Sequence, residues 1–390
     1  MVTKALSESF SRFFDSERSS GNLLLVCTFL SLAITNSPIG RDYLGFWQAD
    51  VGPLSLEHWI NDALMAVFFL LIGLELEREL YVGELSSLEN ALLPIVAAVG
   101  GMIAPALIHL SLNAGTETRN GIGIPMATDI AFALGVLAIL GKRIPGSLKV
   151  FLVAFAIMDD LGAIVIIAVF YTAQLSVSYL FGALAVWAVL LALNRLFRVG
   201  SLVPYLLGGV LMWWLMLMSG VHATIAGVML AFAIPFSATD DDEKSPSHRL
   251  EHFLHKPVAF AILPIFALAN TGIVVGADWI EGLASTNSLG IIAGLVAGKP
   301  VGVILACYVA VAAGVCRLPE DLSWRHVIGA GILGGIGFTM SIFIANLAFP
   351  GSPETVNASK LAILMASLTA GILGYLWLRL LGGTGAGAKA

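Results

Sequence analysis

Long, nearly uncharged apolar stretches follow one another along this chain with little between them. They lie at about 21–36, 59–74, 91–112, 122–140, 148–171, 178–194, 202–217, 219–236, 257–276, 287–314, 327–349 and 356–381. Each approaches the roughly 20 residues that an α-helix needs to cross the hydrocarbon of a bilayer. Most links are too short to build a separate soluble domain. With 58% hydrophobic and 12% charged residues in 390, the chain carries more apolar surface than a water-facing fold can bury. The expected fold is all-α and polytopic, a single transmembrane domain over 1–390 with about twelve spanning helices.

Charge between the segments sets the orientation. Of the 20 lysines and arginines, Arg41, Arg119 and Lys360 fall on one side of the alternating segments, Lys299 falls inside one, and the rest fall on the other side. Positive charge collects on the cytoplasmic face, so both termini are expected in the cytoplasm of a bacterial cell, with the chain in the inner membrane. The stretch 1–20 is amphipathic, with Phe10, Phe13 and Phe14 among Arg12, Asp15 and Arg18, and lacks the apolar core of a cleavable signal peptide. It is expected to lie on the membrane surface. Residues 37–58, with Pro38, Gly40 and Pro53, are expected to form a small external hairpin, 239–247 a solvated linker and 382–390 a flexible tail. A net charge of -6 without a long basic run offers nothing to nucleic acid. Cys27, Cys307 and Cys316 are scattered through apolar sequence and read as packing residues, neither a metal set nor a disulfide framework. No cofactor is expected.

Charges inside the segments carry the functional information. The fifth reads KVFLVAFAIMDDLGAIVIIAVFYT, placing Asp159 and Asp160 at its midpoint. An aspartate at that depth costs about 2.5–3.5 kcal/mol on insertion scales, while each Val, Ile, Leu or Phe returns only about 0.3–0.6. Helix packing through a hydrogen-bonded polar group accounts for one such carboxylate but hardly for two neighbours. Consecutive helix positions point about 100° apart, so the two are expected to have different jobs.

Two segments look interrupted. In the fourth, Gly121, Gly123 and Pro125 precede Thr128 and Asp129; in the eleventh, Gly329, Gly331, Gly334, Gly335 and Gly337 precede Phe338, Thr339 and Ser341. Glycine clusters also serve close helix packing. Position favours interruption, because these segments are the middle members of triplets three to five and ten to twelve, the pattern of inverted repeats with crossed discontinuous helices around a mid-membrane ion site. Crossed half-helices bring like ends of their dipoles together. Asp129 is placed to offset the positive ends, and Lys299, in LVAGKPVGV, to serve the negative ends or to pair with a carboxylate.

The stretches FFLLIGLELEREL at 68–80, IPMATDIAFALGVLAILGKR at 124–143, FAIMDDLGAIVIIAVFYT at 155–172, SGVHATIAGV at 219–228, RLEHFLH at 249–255, ALANTGI at 267–273, GKPVGV at 298–303 and GGIGFTMSIFIANLAF at 334–349 give the chain a resemblance to the NhaA sodium/proton antiporters along almost its whole length. That family is itself a standard example of the inverted-repeat architecture. The resemblance implies a transporter, not an enzyme, with twelve helices, broken helices four and eleven, and a homodimer held partly by the external hairpin. It also implies that Asp160 is the principal ligand of sodium or lithium and Asp159 its partner, as co-ligand or gate. Thr128 and Asp129 resemble the supporting residues of the broken helix, and Lys299 the lysine opposite the aspartates, as charge balance or proton carrier. Glu75, Glu77, Arg78 and Glu79, with Glu251, His252 and His255, match positions tied in the family to the response to pH. Read as residues alone they are more simply a charged membrane interface, although histidines titrate near neutrality. His222 reads as a hydrogen-bonded packing histidine.

The implied mechanism is competition. Two carboxylates, the Thr128 hydroxyl and backbone carbonyls offer a small hard cation the oxygens it needs, and protons contend for the same carboxylates. Three other classes fit less well. A sodium-coupled symporter of related fold needs a second solute pocket, an intramembrane aspartyl protease needs its carboxylates on separate helices, and a channel needs a ring of charge that is not evident.

Overall fold

The computed structural model describes residues 2–172, 175–237, 245–277 and 279–381. The expected tail at 382–390 and most of the 239–247 linker lie outside them. Among the described residues the only strands are a short pair, and eight helices are long and apolar enough to cross a membrane, ten if each bent pair is one span. The chain is an all-helical polytopic membrane protein.

Each of the twelve apolar segments contains helix. The seventh, Val203–Ser219, has 17 residues and matches the expected 202–217, but the eighth departs from its expected span. The eighth keeps only Ile225–Ala231, 7 residues and about 10 Å at the helical rise. Its beginning is spent on turns: Gly220 has φ 81°, the Ser219 hydroxyl accepts from the Val221 N–H at 3.2 Å, and His222 Nε2 lies 2.9 Å from the Tyr171 carbonyl. The short helix then presses on Leu56–Tyr81, where Gly227 meets the Ala66 carbonyl and Gly73 leaves no room for a Cβ beside Ala231. Apolarity alone does not report such a turn.

The first segment differs in the other direction. Helix runs unbroken from Val2 to Thr35, 34 residues, and a separate short helix follows at Gly40–Gln48. The amphipathic N-terminal stretch is thus continuous with the first span, because 2–35 holds no proline and only Gly21 to weaken a helix. Beyond the short helix, Asp50–Val51 pairs antiparallel with Leu54–Ser55 through a Gly52-Pro53 corner, where Gly52 takes φ 70°. The Trp59 indole N–H donates to the Val51 carbonyl at 2.8 Å.

Two compact units emerge. One comprises 1–36, 87–163 and 270–390, the other 37–86 and 164–269. In the first, Leu88–Asn113 and Thr286–Ala312 approach so closely that the Gly100 and Gly302 backbones touch, with Ala104 and Ala306 completing the contact. This is the small-residue spacing that lets membrane helices pack through their backbones. Gly302→Ala should therefore lower thermal stability in detergent, at a cost of about 1–3 kcal/mol for an overpacked site. Gly135→Ala, at a position open to space, should leave the melting midpoint unchanged or raise it.

Candidate functional site

The first unit brings the two interruptions together. The fourth segment begins as a 3-10 helix, Glu117–Met126, passes through extended backbone at 127–129, and resumes as α-helix at Ile130–Leu140. Ten residues is long for a 3-10 run. Pro125 supplies no N–H, and the residue before a proline avoids the α region, which together keep this half from settling into α-helix. The eleventh segment breaks between Trp324–Gly334 and Phe338–Ala348, whose axes differ by 45°.

Opened backbone groups in the crossing are met from the other segment or a neighbour, as hydrocarbon demands. The Asp129 N–H donates to the Ile336 carbonyl at 2.6 Å. The Thr128 hydroxyl donates to the Gly334 carbonyl at 2.8 Å, the Ser341 hydroxyl to the Ile124 carbonyl at 2.7 Å, and the Phe338 N–H to the Ser367 hydroxyl at 3.1 Å. The glycines serve interruption and packing at once, since Gly335 abuts the Leu295 carbonyl and a Cβ on Gly337 would stand 3.0 Å from the Ala127 carbonyl.

Asp129 caps two helices. Its carboxylate accepts from the Phe132 N–H at 3.1 Å and from the Thr339 N–H at 3.0 Å, and also from the Thr339 hydroxyl. One buried negative charge thus faces the positive ends of both second half-helices. At the opposite ends, the Met126 carbonyl closes the 3-10 half and accepts from the Lys299 ammonium.

Lys299 follows a π-helical turn, Gly294–Gly298, which fits against Pro125 and Pro105 because Gly294 and Gly298 have no side chain. Its ammonium lies 2.7 and 2.8 Å from the two Asp159 carboxylate oxygens. Lys299, Asp159, Asp160 and Thr128 are all fully buried. Thr128 lies beside Asp159, and Asp160 is close enough to Lys299 for their charges to interact. Asp159, Lys299, Asp160 and Thr128 are thus brought together, while the Asp129 carboxylate turns to the half-helix ends, with Pro125, Gly334, Gly335 and Gly337 at the breaks. Three contributors escaped the sequence reading: the Met126 carbonyl, the pairing of Thr339 with Asp129, and Phe155, whose ring lies under the Lys299 ammonium at 5.7 Å. Only Phe155 left a signal, being one helical turn before Asp159.

The second unit holds the other group of charges. Arg78 lies 2.9 Å from Glu251 and 3.3 Å from Glu79. His255 Nδ1 is 3.9 Å from Glu75, and the Ser247 hydroxyl donates to Glu77 at 3.2 Å. His252 is exposed and is not drawn into this group. Cys27, Cys307 and Cys316 are free and buried. Among the described residues no cluster of three or more His, Cys, Asp or Glu side chains forms a metal cage.

An all-helical membrane chain whose interrupted segments meet around buried carboxylates and a lysine falls in the class of secondary transporters. The chain belongs to the family described as Na+/H+ antiporter 1, which it matches over residues 11–378. It is 71% identical over 373 residues to the Na(+)/H(+) antiporter NhaA of Dechloromonas aromatica (strain RCB), covering 96% of each chain. It is 57% identical over 374 residues to Na(+)/H(+) antiporter NhaA 1 of Flavobacterium johnsoniae, covering 96% of this chain and 97% of the relative. With the NhaA antiporter of Vibrio campbellii it shares 50% identity over 368 residues and 94% of each chain.

Because Asp129 caps two half-helices, Asp129→Ala should destabilise more than loss of a single cap, about 1–4 kcal/mol at roughly 0.5–2 for each. Asp129→Asn, which keeps one accepting oxygen, should retain part of that. Thermal unfolding of the purified variants in detergent measures both.

Proposed function

We propose that this chain exchanges sodium, and lithium, for protons across the bacterial inner membrane by alternating access at the Asp159–Asp160 site, with both termini in the cytoplasm. The observation that carries the reading is the asymmetry of the two buried carboxylates: Asp159 is neutralised by Lys299 at 2.7 Å, while Asp160 projects about 100° away on the same helix. Asp160 is the primary cation ligand in this reading. A dehydrated sodium ion takes oxygens from Asp160, Asp159 and Thr128, and Lys299 yields Asp159 as the ion arrives. Asp129 holds the two half-helices in register and so supports the cation and proton site. Membership of an Na+/H+ antiporter family and the long alignments with named antiporters support sodium and protons as the exchanged ions.

The loaded site, with ion or with protons, permits one bundle to move against the other, whereas the empty charged site does not. Two protons leave for each sodium bound, from the two carboxylates or from Asp160 and Lys299. Either assignment moves one net charge per cycle. That charge couples to the membrane potential by about 2.3 kcal/mol per 100 mV, enough to hold a sodium gradient of roughly forty- to fiftyfold. The Arg78–Glu251 and His255–Glu75 contacts in the second unit serve the response to pH, and the hairpin at 37–58 contributes to a homodimer.

A sodium jump on proteoliposomes adsorbed to a capacitive membrane should give a transient current that reverses with the gradient and vanishes in Asp160→Asn. Sodium-driven proton flux without current would reduce the stoichiometry to one for one, and undiminished current in Asp160→Asn would remove that residue from the site. In the second unit, Glu251→Gln should displace the pH profile of exchange and leave the peak rate intact. Loss of exchange at every pH would mark Glu251 as structural.

A further inference from the structure

We propose that Phe155 is a positioning residue for Lys299, forming the third wall of an ammonium cage and setting how readily sodium displaces the lysine from Asp159. The inference rests on the competitive reading above. Two walls are already evident, the Asp159 carboxylate at 2.7 and 2.8 Å and the Met126 carbonyl. The third is an aromatic face: the ammonium stands 5.7 Å from the centroid of Phe155, inside the roughly 6 Å over which a ring quadrupole attracts a cation. Phe155 precedes Asp159 by four residues on the same helix, so ring and carboxylate share a face. Asp160, one position further, does not.

The ring is held on several sides. It is fully buried and stacked on Phe151 at 6.3 Å with an interplanar angle of 12°. A Cβ on Gly334 would come 2.9 Å from its edge, and one on Gly101 would come 3.3 Å from it. Glycine at both positions gives the ring its slot. Gly334 is also the residue whose carbonyl receives the Thr128 hydroxyl, so the break in the eleventh segment, the ring and the lysine are in continuous contact. A displacement of that break reaches Lys299 through Phe155.

The ring stabilises the lysine only in its position on Asp159, and weakening it should ease displacement by sodium. Incorporation of fluorinated phenylalanines at 155 tests this, because successive fluorines drain the quadrupole while nearly preserving ring volume. In proteoliposomes the KM for sodium should fall stepwise with fluorine number, by roughly two- to fivefold across the series for a contact of ordinary strength, with kcat unchanged. Phe155→Leu, which removes the ring, should show the same fall. A KM that stays constant or rises across the fluorinated series would overturn the proposal and reduce Phe155 to packing. The unsubstituted protein in the same vesicles separates the two levels of the reading: absence of sodium–proton exchange there overturns both, whereas exchange without the KM trend overturns only the role of Phe155.

Discussion

A lysine ammonium with no exposed surface must find compensating negative charge within its own reach, and Lys299 depends on three groups that lie far from it in sequence. The Asp159 carboxylate, the Met126 carbonyl and the Phe155 ring surround it. Each comes with a demand on the fold. The carbonyl is free to accept only because the fourth segment stops being helical at that residue. The carboxylate is tolerated at mid-helix only because the ammonium is there. The ring fits only because Gly334 and Gly101 lack side chains. Breaking a buried ion pair by removing one partner is strongly unfavourable, so helix interruption, glycine placement and charge pairing hold one another in place.

The same economy governs the crossing. Four half-helix ends meet among buried side chains, and their dipoles and open backbone groups are answered by Asp129, Thr128, Ser341 and Lys299. Asp129 needs only one carboxylate to serve two positive ends because the breaks lie side by side. On the proposed function, an ion that takes over part of Asp159 would substitute one positive charge for another at the same oxygens, so that binding is exchange from the outset.

The broad architecture was legible because hydrocarbon imposes simple rules. Segment length, charge asymmetry and glycine-interrupted apolar runs show directly in sequence, and so do charges placed where each costs more than several apolar residues recover. What escaped notice depends on contacts between distant segments. The eighth segment is as apolar as the others, yet the turn at Gly220 and the close seat of Gly227 on Ala66 leave it only a short helix. Nothing in Met126 announces that its carbonyl will face an ammonium. His252 and His255 look equivalent on one helix, but only His255 turns toward Glu75. The unbroken first helix is a lesser case, where amphipathic composition suggested a separate element and the lack of any helix breaker decided otherwise.

The central claim is that sodium and protons contend for the same buried oxygens, and it is most directly tested by counting protons released as sodium binds. Purified protein in weakly buffered detergent with a pH-indicator dye, titrated with sodium chloride against a choline chloride control, gives that count without a membrane or a gradient. Competition predicts acidification that saturates together with sodium binding measured calorimetrically on the same sample, and none with choline. Saturable sodium binding that releases no protons would contradict it.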